Sequence, residues 1–220
     1  MSATSTRALS SSARWVSRQR LDRFVLQAAR EGYRSRAAYK LKQIDARAKP
    51  KLLHRGQVAV ELGSAPGSWT QVLLEKGVRV VAVDVLPMAP MDGDYTFIEG
   101  DFTAQTVKTS ILEALGPGQQ ADLILSDLSP NRSGNRSLDE ARLTDMVEQS
   151  VTLARQCLKP GGSWLAKLLQ GPELTPLMKR LKPLFSKGGA LIKPPASRKE
   201  STEIYLLARG FQADDDIDSF

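Results

Sequence analysis

Apolar and polar positions along the chain follow two periods, and the switch between them sets out the elements. Within residues 18–30, Leu21, Phe24, Val25 and Ala28 recur at helical spacing, and Gly32 follows as a stop. Ala38, Leu41 and Ile44 define a second helix over 36–47, with Ser35 in position to cap it. After a polar linker, 50–56, residues 58–62 form an apolar run interrupted only by Glu61, which suits a buried strand. Comparable runs stand at 79–83, 95–98, 121–126, 163–169, 190–193 and 203–208. Between them, helical patterns cover 69–76, 104–115, 138–158 and 173–185. Gly77, the Gly116-Pro117-Gly118 turn and the Lys159-Pro160-Gly161-Gly162 breaker separate the units.

Strand and helix alternating in this way predict a doubly wound, Rossmann-like α/β fold with helices on both faces of a mostly parallel sheet. The last two strands are separated only by 194–202, too short for a helical crossover, so they should pair as an antiparallel hairpin. The expected sheet therefore has seven strands, one of them antiparallel to the rest. The expected organisation is a basic N-terminal segment over 1–56, a main domain over 57–210 and an acidic tail over 211–220. Residues 1–13, rich in Ser, Thr and Ala, and the tail with Asp214, Asp215, Asp216 and Asp218 read as disordered.

Charge sharpens this division. The net charge is +7. Residues 1–56 hold 14 Lys and Arg against 3 acids, a net of +11, whereas the remainder carries 17 against 21, a net of −4. Such a split implies a polyanionic partner at the N-terminal end, with nucleic acid ahead of a membrane surface because the segment has no bulky apolar stripe. A single cysteine, Cys157, excludes a disulfide framework, and the lone His54 in a polar connector leaves no metal site or triad. No apolar run approaches a membrane span, and no signal sequence precedes the domain, although the Ser- and Arg-rich start has some transit-peptide character. A soluble cytoplasmic protein is expected.

The chemistry gathers where the first strand ends. Gly63-Ser64-Ala65-Pro66-Gly67 is a tight loop of small residues whose main-chain N–H groups can approach a ligand closely. It lacks the third glycine of a dinucleotide pyrophosphate grip. In open α/β sheets, ligands bind beyond the carboxyl ends of the strands, and Glu61, Asp84, Asp101 and Asp127 all fall at or near such ends. Asp84 lies 23 residues beyond Glu61, where such folds put a carboxylate on ribose hydroxyls. Four acids would repel an anion and favour a sulfonium bearing an amino group, which points to S-adenosylmethionine. Lys167 is the only charge in Trp164-Leu165-Ala166-Lys167-Leu168-Leu169, and a lysine in such a strand is rare unless it is paired. A bland edge lysine is the competing reading; a neighbour of Asp127 is the stronger one.

These residues resemble a known family along nearly the whole chain. Ser11-Ser12-Ala13-Arg14-Trp15, Arg34-Ser35-Arg36-Ala37-Ala38-Tyr39-Lys40-Leu41, the 63–69 loop, Asp84-Val85-Leu86-Pro87-Met88 and Gly100-Asp101-Phe102 carry the likeness. So do Ser126-Asp127-Leu128-Ser129-Pro130-Asn131, Lys167-Leu168-Leu169-Gln170-Gly171 and Ser201-Thr202-Glu203-Ile204-Tyr205. Together they resemble the FtsJ/RrmJ family of bacterial ribosomal RNA 2′-O-methyltransferases. The resemblance implies the S-adenosylmethionine-dependent methyltransferase fold and a Lys-Asp-Lys-Glu tetrad at Lys40, Asp127, Lys167 and Glu203. Glu200 is a rival for the last position, but Glu203 is the acid followed by Ile and Tyr. Cofactor contacts are implied at Gly67, Trp69, Asp84, Asp101 and Asp127, to which the loop reading adds Glu61, Gly63 and Ala65. The family often has Asp in place of Glu61 and Gly in place of Ser68, which bears on cofactor geometry and not on the tetrad.

The activity implied is methyl transfer to a ribose 2′-oxygen, that of a uridine, in large-subunit 23S ribosomal RNA within the assembled subunit. Lys167 is expected to take the hydroxyl proton, Asp127 to orient it, Lys40 to steady the alkoxide or phosphate, and Glu203 to orient a lysine or the ribose. Arg14, Arg18, Arg34 and Arg36 are expected to contact RNA, and the protein to act as a monomer. The alternative is a catalytically idle RNA-binding ribosome assembly factor; an intact tetrad argues against it. A small-molecule or base-nitrogen methyltransferase is disfavoured by the basic segment and by Leu-Ser-Pro-Asn after Asp127.

Overall fold

The computed structural model describes residues 22–130 and 133–212. Arg14, Arg18, the expected start of the first helix and the acidic tail lie outside them. Two helices open the described chain, α1 (Arg23–Glu31) and α2 (Ala37–Arg47). There follow β1 (Val58–Leu62), α3 (Ser68–Glu75), β2 (Arg79–Asp84), β3 (Tyr95–Glu99), α4 (Gln105–Leu115), β4 (Ala121–Ser126) and α5 (Arg136–Cys157). The chain continues with β5 (Leu158–Leu169), α6 (Leu174–Leu181), β6 (Gly189–Ile192) and β7 (Glu203–Arg209).

The seven strands form one sheet in the order β3-β2-β1-β4-β5-β7-β6. Only β7 runs antiparallel to its neighbours, β5 and β6. From β1 the chain winds outward to β2 and β3, then returns to β4 on the other side of β1. That reversal opens a crevice at the carboxyl ends of β1 and β4, the place where such sheets bind ligands.

Period-2 alternation assigns the faces. Val60, Leu62, Val81, Val83 and Ile124 pack with Ile111 of α4, with Val147 and Val151 of α5, and with Leu177 of α6. Ala59, Val80, Ala82, Leu123 and Leu125 point the other way, onto Phe24, Ala38, Leu41, Ile44 and Val72 of α1, α2 and α3. The described part of the basic segment thus shares a core with the sheet. Burying a Leu, Ile, Val or Phe side chain contributes about 1.5–3 kcal/mol, so this interface holds α2 firmly against the strands.

Several boundaries differ from the sequence expectation, each for a local reason. Asp22 caps α1 by accepting from the Phe24 N–H at 3.0 Å. Helix α2 begins at Ala37, and the Ser35 hydroxyl accepts from the Ala37 N–H and also bonds the Ser68 hydroxyl at 2.7 Å. The helix ends at Cys157, just before the expected Lys159-Pro160-Gly161-Gly162 breaker, but β5 starts directly after it at Leu158, not at 163, and absorbs the breaker as an irregularity opposite 121–123. Pro183 converts the end of the expected 173–185 helix into a 3₁₀ turn, Lys182–Leu184.

Candidate active site

Strand register brings the expected tetrad together. Leu125 pairs with Leu165, and Leu165 with Leu207, so the three form one row of core residues across β4, β5 and β7. One period-2 step further toward the carboxyl ends, the same face carries Asp127, Lys167 and Tyr205, and Lys167 is directly opposite Tyr205. Another step along β7 is Glu203, opposite Leu169. The row that leaves the apolar core as Leu-Leu-Leu therefore emerges as Asp-Lys-Tyr. Above it lies α2, and Lys40 on that helix reaches down to the sheet.

Two ion pairs result. Lys40 Nζ donates to Glu203 Oε2 at 2.8 Å, and the Ser197 hydroxyl donates to Glu203 Oε1 at 2.7 Å. Lys167 Nζ donates to the Asp127 main-chain oxygen at 2.8 Å and stands 3.2 Å from its Oδ1. Tyr205 joins the pairs. Its hydroxyl donates to Asp127 Oδ1 at 2.7 Å, and Lys40 Nζ lies 5.8 Å from its ring centroid. Enclosure disfavours the charge on Asp127, but Lys167, Lys40 and the Tyr205 hydroxyl outweigh it and hold the carboxyl below the usual aspartate range. Burial, then the charges of Asp127 and Glu203, push the Tyr205 phenol well above its ordinary value, so it remains a donor. Sequence reasoning used Tyr205 only to choose between Glu200 and Glu203; the signal for its role was its period-2 spacing from Glu203.

The glycine loop packs directly against this row. Gly63 has φ 77°, and a Cβ there would lie 3.0 Å from the Leu128 nitrogen, so only glycine lets the loop cross so close to Asp127 and Leu128. Gly67, at φ 102°, begins α3. Asp84 ties the loop to the end of β2: its Oδ2 accepts from the Ala65 N–H at 2.8 Å, and its Oδ1 from the Leu86 N–H at 2.9 Å. Next to it Val85 and Leu86 are exposed at 63% and 61%, an apolar platform beside the Asp84 carboxylate. Asp101, past β3, is exposed and accepts from the Thr103 N–H and hydroxyl. Ser64 Oγ is buried in the loop without a hydrogen-bond partner among the described residues. A close-approach loop, an unsatisfied hydroxyl, an apolar platform and flanking carboxylates fit an adenosine-bearing cation.

Four of the expected contacts have protein partners in this structure. Glu61 is 1% exposed; it lies beneath the loop and accepts from the Thr70 hydroxyl at 2.7 Å. Burial, opposed by Thr70 and reinforced by Asp127 and Asp84, pushes its carboxyl up to about 8. The Trp69 side chain is also buried: Nε1 donates to the Ala37 main-chain oxygen at 2.9 Å and the ring packs 5.8 Å from that of Tyr205. It pins α2 to the loop. Arg34 and Arg36, expected to face RNA, bond protein acceptors through their guanidinium groups. Arg36 pairs with Asp22 and donates to the Ala196 main-chain oxygen, and Arg34 donates to three main-chain oxygens. Guanidinium forks match local acceptors as readily as phosphates, and composition cannot separate the two uses.

Two cavities flank Glu203. One, about 330 Å³, is lined by Arg36, Lys40, Arg198 and Ser201; the other, about 370 Å³, by Ser129, Pro130, Asp139, Leu143 and Lys167. Ser201 and Glu203 line both cavities, with Lys40 on the first and Lys167 on the second. Among the described residues no helix is long and apolar enough to cross a membrane.

Comparison with known proteins agrees with this fold and shows the family. The chain is 43% identical over 205 residues to ribosomal RNA large subunit methyltransferase E of Dichelobacter nodosus, covering 91% of this chain and 95% of that one. It is 44% identical over 207 residues to the protein of the same name from Hydrogenovibrio crunogenus, covering 92% and 98%. Among solved structures, a ribosomal RNA methyltransferase from Plasmodium falciparum superposes with a TM-score of 0.71 at 28% identity, over 81% of this chain and 98% of that one. The FtsJ-like methyltransferase model matches residues 33–211, and the chain belongs to that family.

Proposed function

We propose that this protein transfers a methyl group from S-adenosylmethionine to the 2′-oxygen of a ribose, that of a uridine in large-subunit ribosomal RNA, with the assembled subunit as substrate. The observation that carries the reading is the Asp127-Lys167-Tyr205 row, closed by Lys40 and Glu203 and abutting the glycine loop. The relatives' names supply the class of RNA.

Asp84 and Asp101 would take the ribose and adenine of the cofactor, Val85 and Leu86 the flat face of the base, and the main chain of Gly63, Ala65 and Gly67 the amino-acid end. Ser64 Oγ has a free donor and acceptor for the same ligand. Asp127, between the loop and Lys167, faces the cationic end, and Glu61 beneath the loop bonds the Thr70 hydroxyl of α3. S-adenosylmethionine, when bound, supplies an electrophilic methyl carbon on a sulfonium. Its methyl carbon would be offered to the ribose 2′-oxygen, and this chain's residues would hold the two reactants and the hydroxyl proton. The hydroxyl proton passes to Lys167 Nζ in its neutral form and then to solvent. Asp127 and Tyr205 fix the direction of Lys167, and Lys40, held by Glu203, steadies charge developing on the 2′-oxygen. Holding the two reactants in line supplies a further part of the barrier reduction. Capture of the RNA falls to the basic N-terminal segment, to Arg14 and Arg18, and to Arg198 beside Glu203.

The test is ribose-methylation mapping of ribosomal RNA from cells with and without the protein, coupled to transfer of tritiated methyl to free RNA and to isolated large subunits. Loss of one 2′-O-methyluridine and preference for the subunit are expected. A methylated base in place of a ribose would overturn the reading.

A further inference from the structure

We infer that Arg34 is a positioning residue for the cofactor, not an RNA contact: it sets the spacing of the two loops between which S-adenosylmethionine lies. This rests on the cofactor reading above. Its Nη1 donates to the main-chain oxygens of Pro66 at 2.9 Å and Ala89 at 2.6 Å, and its Nη2 donates to that of Pro90 at 2.6 Å. Pro66 belongs to the loop after β1; Ala89 and Pro90 belong to the loop after β2. One planar group therefore staples the two walls of the crevice at their rim, while Asp84 joins them at the root through Ala65 and Leu86.

The surroundings are built for this. The Arg34 N–H donates to Gln71 Oε1 at 2.9 Å, and Gln71 Nε2 donates to the Gly32 main-chain oxygen at 3.0 Å, so α3 holds the arginine's own backbone. A Cβ on Gly67 would lie 2.5 Å from Met91 Cε, 2.8 Å from Arg34 Nη1 and 2.9 Å from Met88 Sδ. The arginine and both methionines of the second loop thus close over the one residue that has no side chain to obstruct them. A lysine could meet one of the three carbonyls and not the fork of three, because its ammonium is a point charge on a flexible stem.

The experiment compares wild type, Arg34→Lys and Arg34→Met by calorimetry with S-adenosylmethionine, by RNA binding at two salt concentrations, and by steady-state transfer. Both variants should weaken cofactor binding, Arg34→Met by about tenfold or more, because the loops lose their preorganisation. KM for the cofactor should rise with kcat at saturation within about threefold, and RNA affinity should be nearly unchanged, since preorganised binding is lost and not the chemistry. A general folding defect would instead lower the active fraction, and hence kcat, without raising that KM. Should Arg34→Met not fold, Arg34→Lys decides alone, because it keeps the charge that RNA would feel and loses the staple. Unchanged cofactor affinity with weakened RNA binding would overturn the inference, as would equal loss of both. A wild type that binds no S-adenosylmethionine would overturn the cofactor reading and this inference with it.

Discussion

The Tyr205 hydroxyl donates to Asp127 Oδ1 at 2.7 Å from a fully buried ring. Asp127 therefore has one oxygen committed to two donors, the phenol and Lys167. An aspartate fixed in this way can hold a lysine in one direction only. Tyr205→Phe keeps the ring contact with Trp69 and removes the bond. Hydrogen bonds to charged groups are worth about 1.5–3 kcal/mol, so kcat should fall about 10- to 100-fold if the bond acts in orienting Lys167. Single-turnover kinetics on large subunits measures this, and an unchanged rate would leave the phenol with a packing role alone.

Glu61 makes the stability of the fold depend on pH. Its carboxyl is raised from 4.5 to about 8 in the folded protein, chiefly by burial. Between those values the unfolded chain has released the proton that the folded chain keeps, so stability falls as pH rises through the window. The slope from this group is at most about 1.4 kcal/mol per pH unit. Glu61→Gln keeps an acceptor for the Thr70 hydroxyl and cannot ionise. Denaturant unfolding near about pH 5.5 and about pH 7.5 should show the variant gaining on wild type at the higher value. An equal difference at both would mean that the carboxylate is charged in the fold.

The arginines of the basic segment should divide into two groups. Arg36 pairs with Asp22 and bonds the Ala196 main-chain oxygen, and Arg198 Nε lies 3.9 Å from the same Asp22 carboxylate. Arg36→Glu would set two carboxylates together at 15% exposure or less and should lower thermal stability by several degrees. Arg14→Glu combined with Arg18→Glu should instead leave stability and cofactor affinity intact while weakening RNA binding and flattening its salt dependence. Melting curves and RNA titrations on the two variants separate these outcomes. Matching behaviour would erase the division.

The fold was legible wherever period and length agreed. The strand runs were short, apolar and punctuated by Gly, so the sheet and its reversed strand followed from sequence. Beyond that point sequence was silent for physical reasons. The Leu158 start of β5 depends on a register irregularity against β4 that overrides a Pro-Gly-Gly breaker. The uses of Arg34, Trp69 and Glu61 depend on contacts between residues roughly 10 to 60 apart in sequence, which no local pattern encodes. Motif resemblance singled out Lys40, Asp127, Lys167 and Glu203; it was strand register that explained why three of them, with Tyr205, share one face.

Lys167 carries the enzymatic reading. Its side chain is 9% exposed, one step past Leu165 in the core, with Nζ bonded to the Asp127 main chain and beside its carboxylate. A charge in that position is costly unless paired, and the strand would pack as well with leucine there. Lys167→Ala should abolish measurable transfer, because a general base contributes about 10²–10⁴-fold and its orientation adds to that. Removing one partner of an enclosed pair costs about 3–5 kcal/mol when the other charge is stranded. Here Asp127 keeps the Tyr205 hydroxyl and has Lys40 close by, so the loss should be smaller and the variant should remain folded. Lys167→Met fills the same space and serves as the second variant. Both should still bind S-adenosylmethionine by calorimetry and RNA by titration. The decisive measurement is tritiated-methyl transfer to large subunits from cells lacking the activity: near-normal transfer by either variant would remove Lys167 as the base and leave Lys40 or solvent to take the proton.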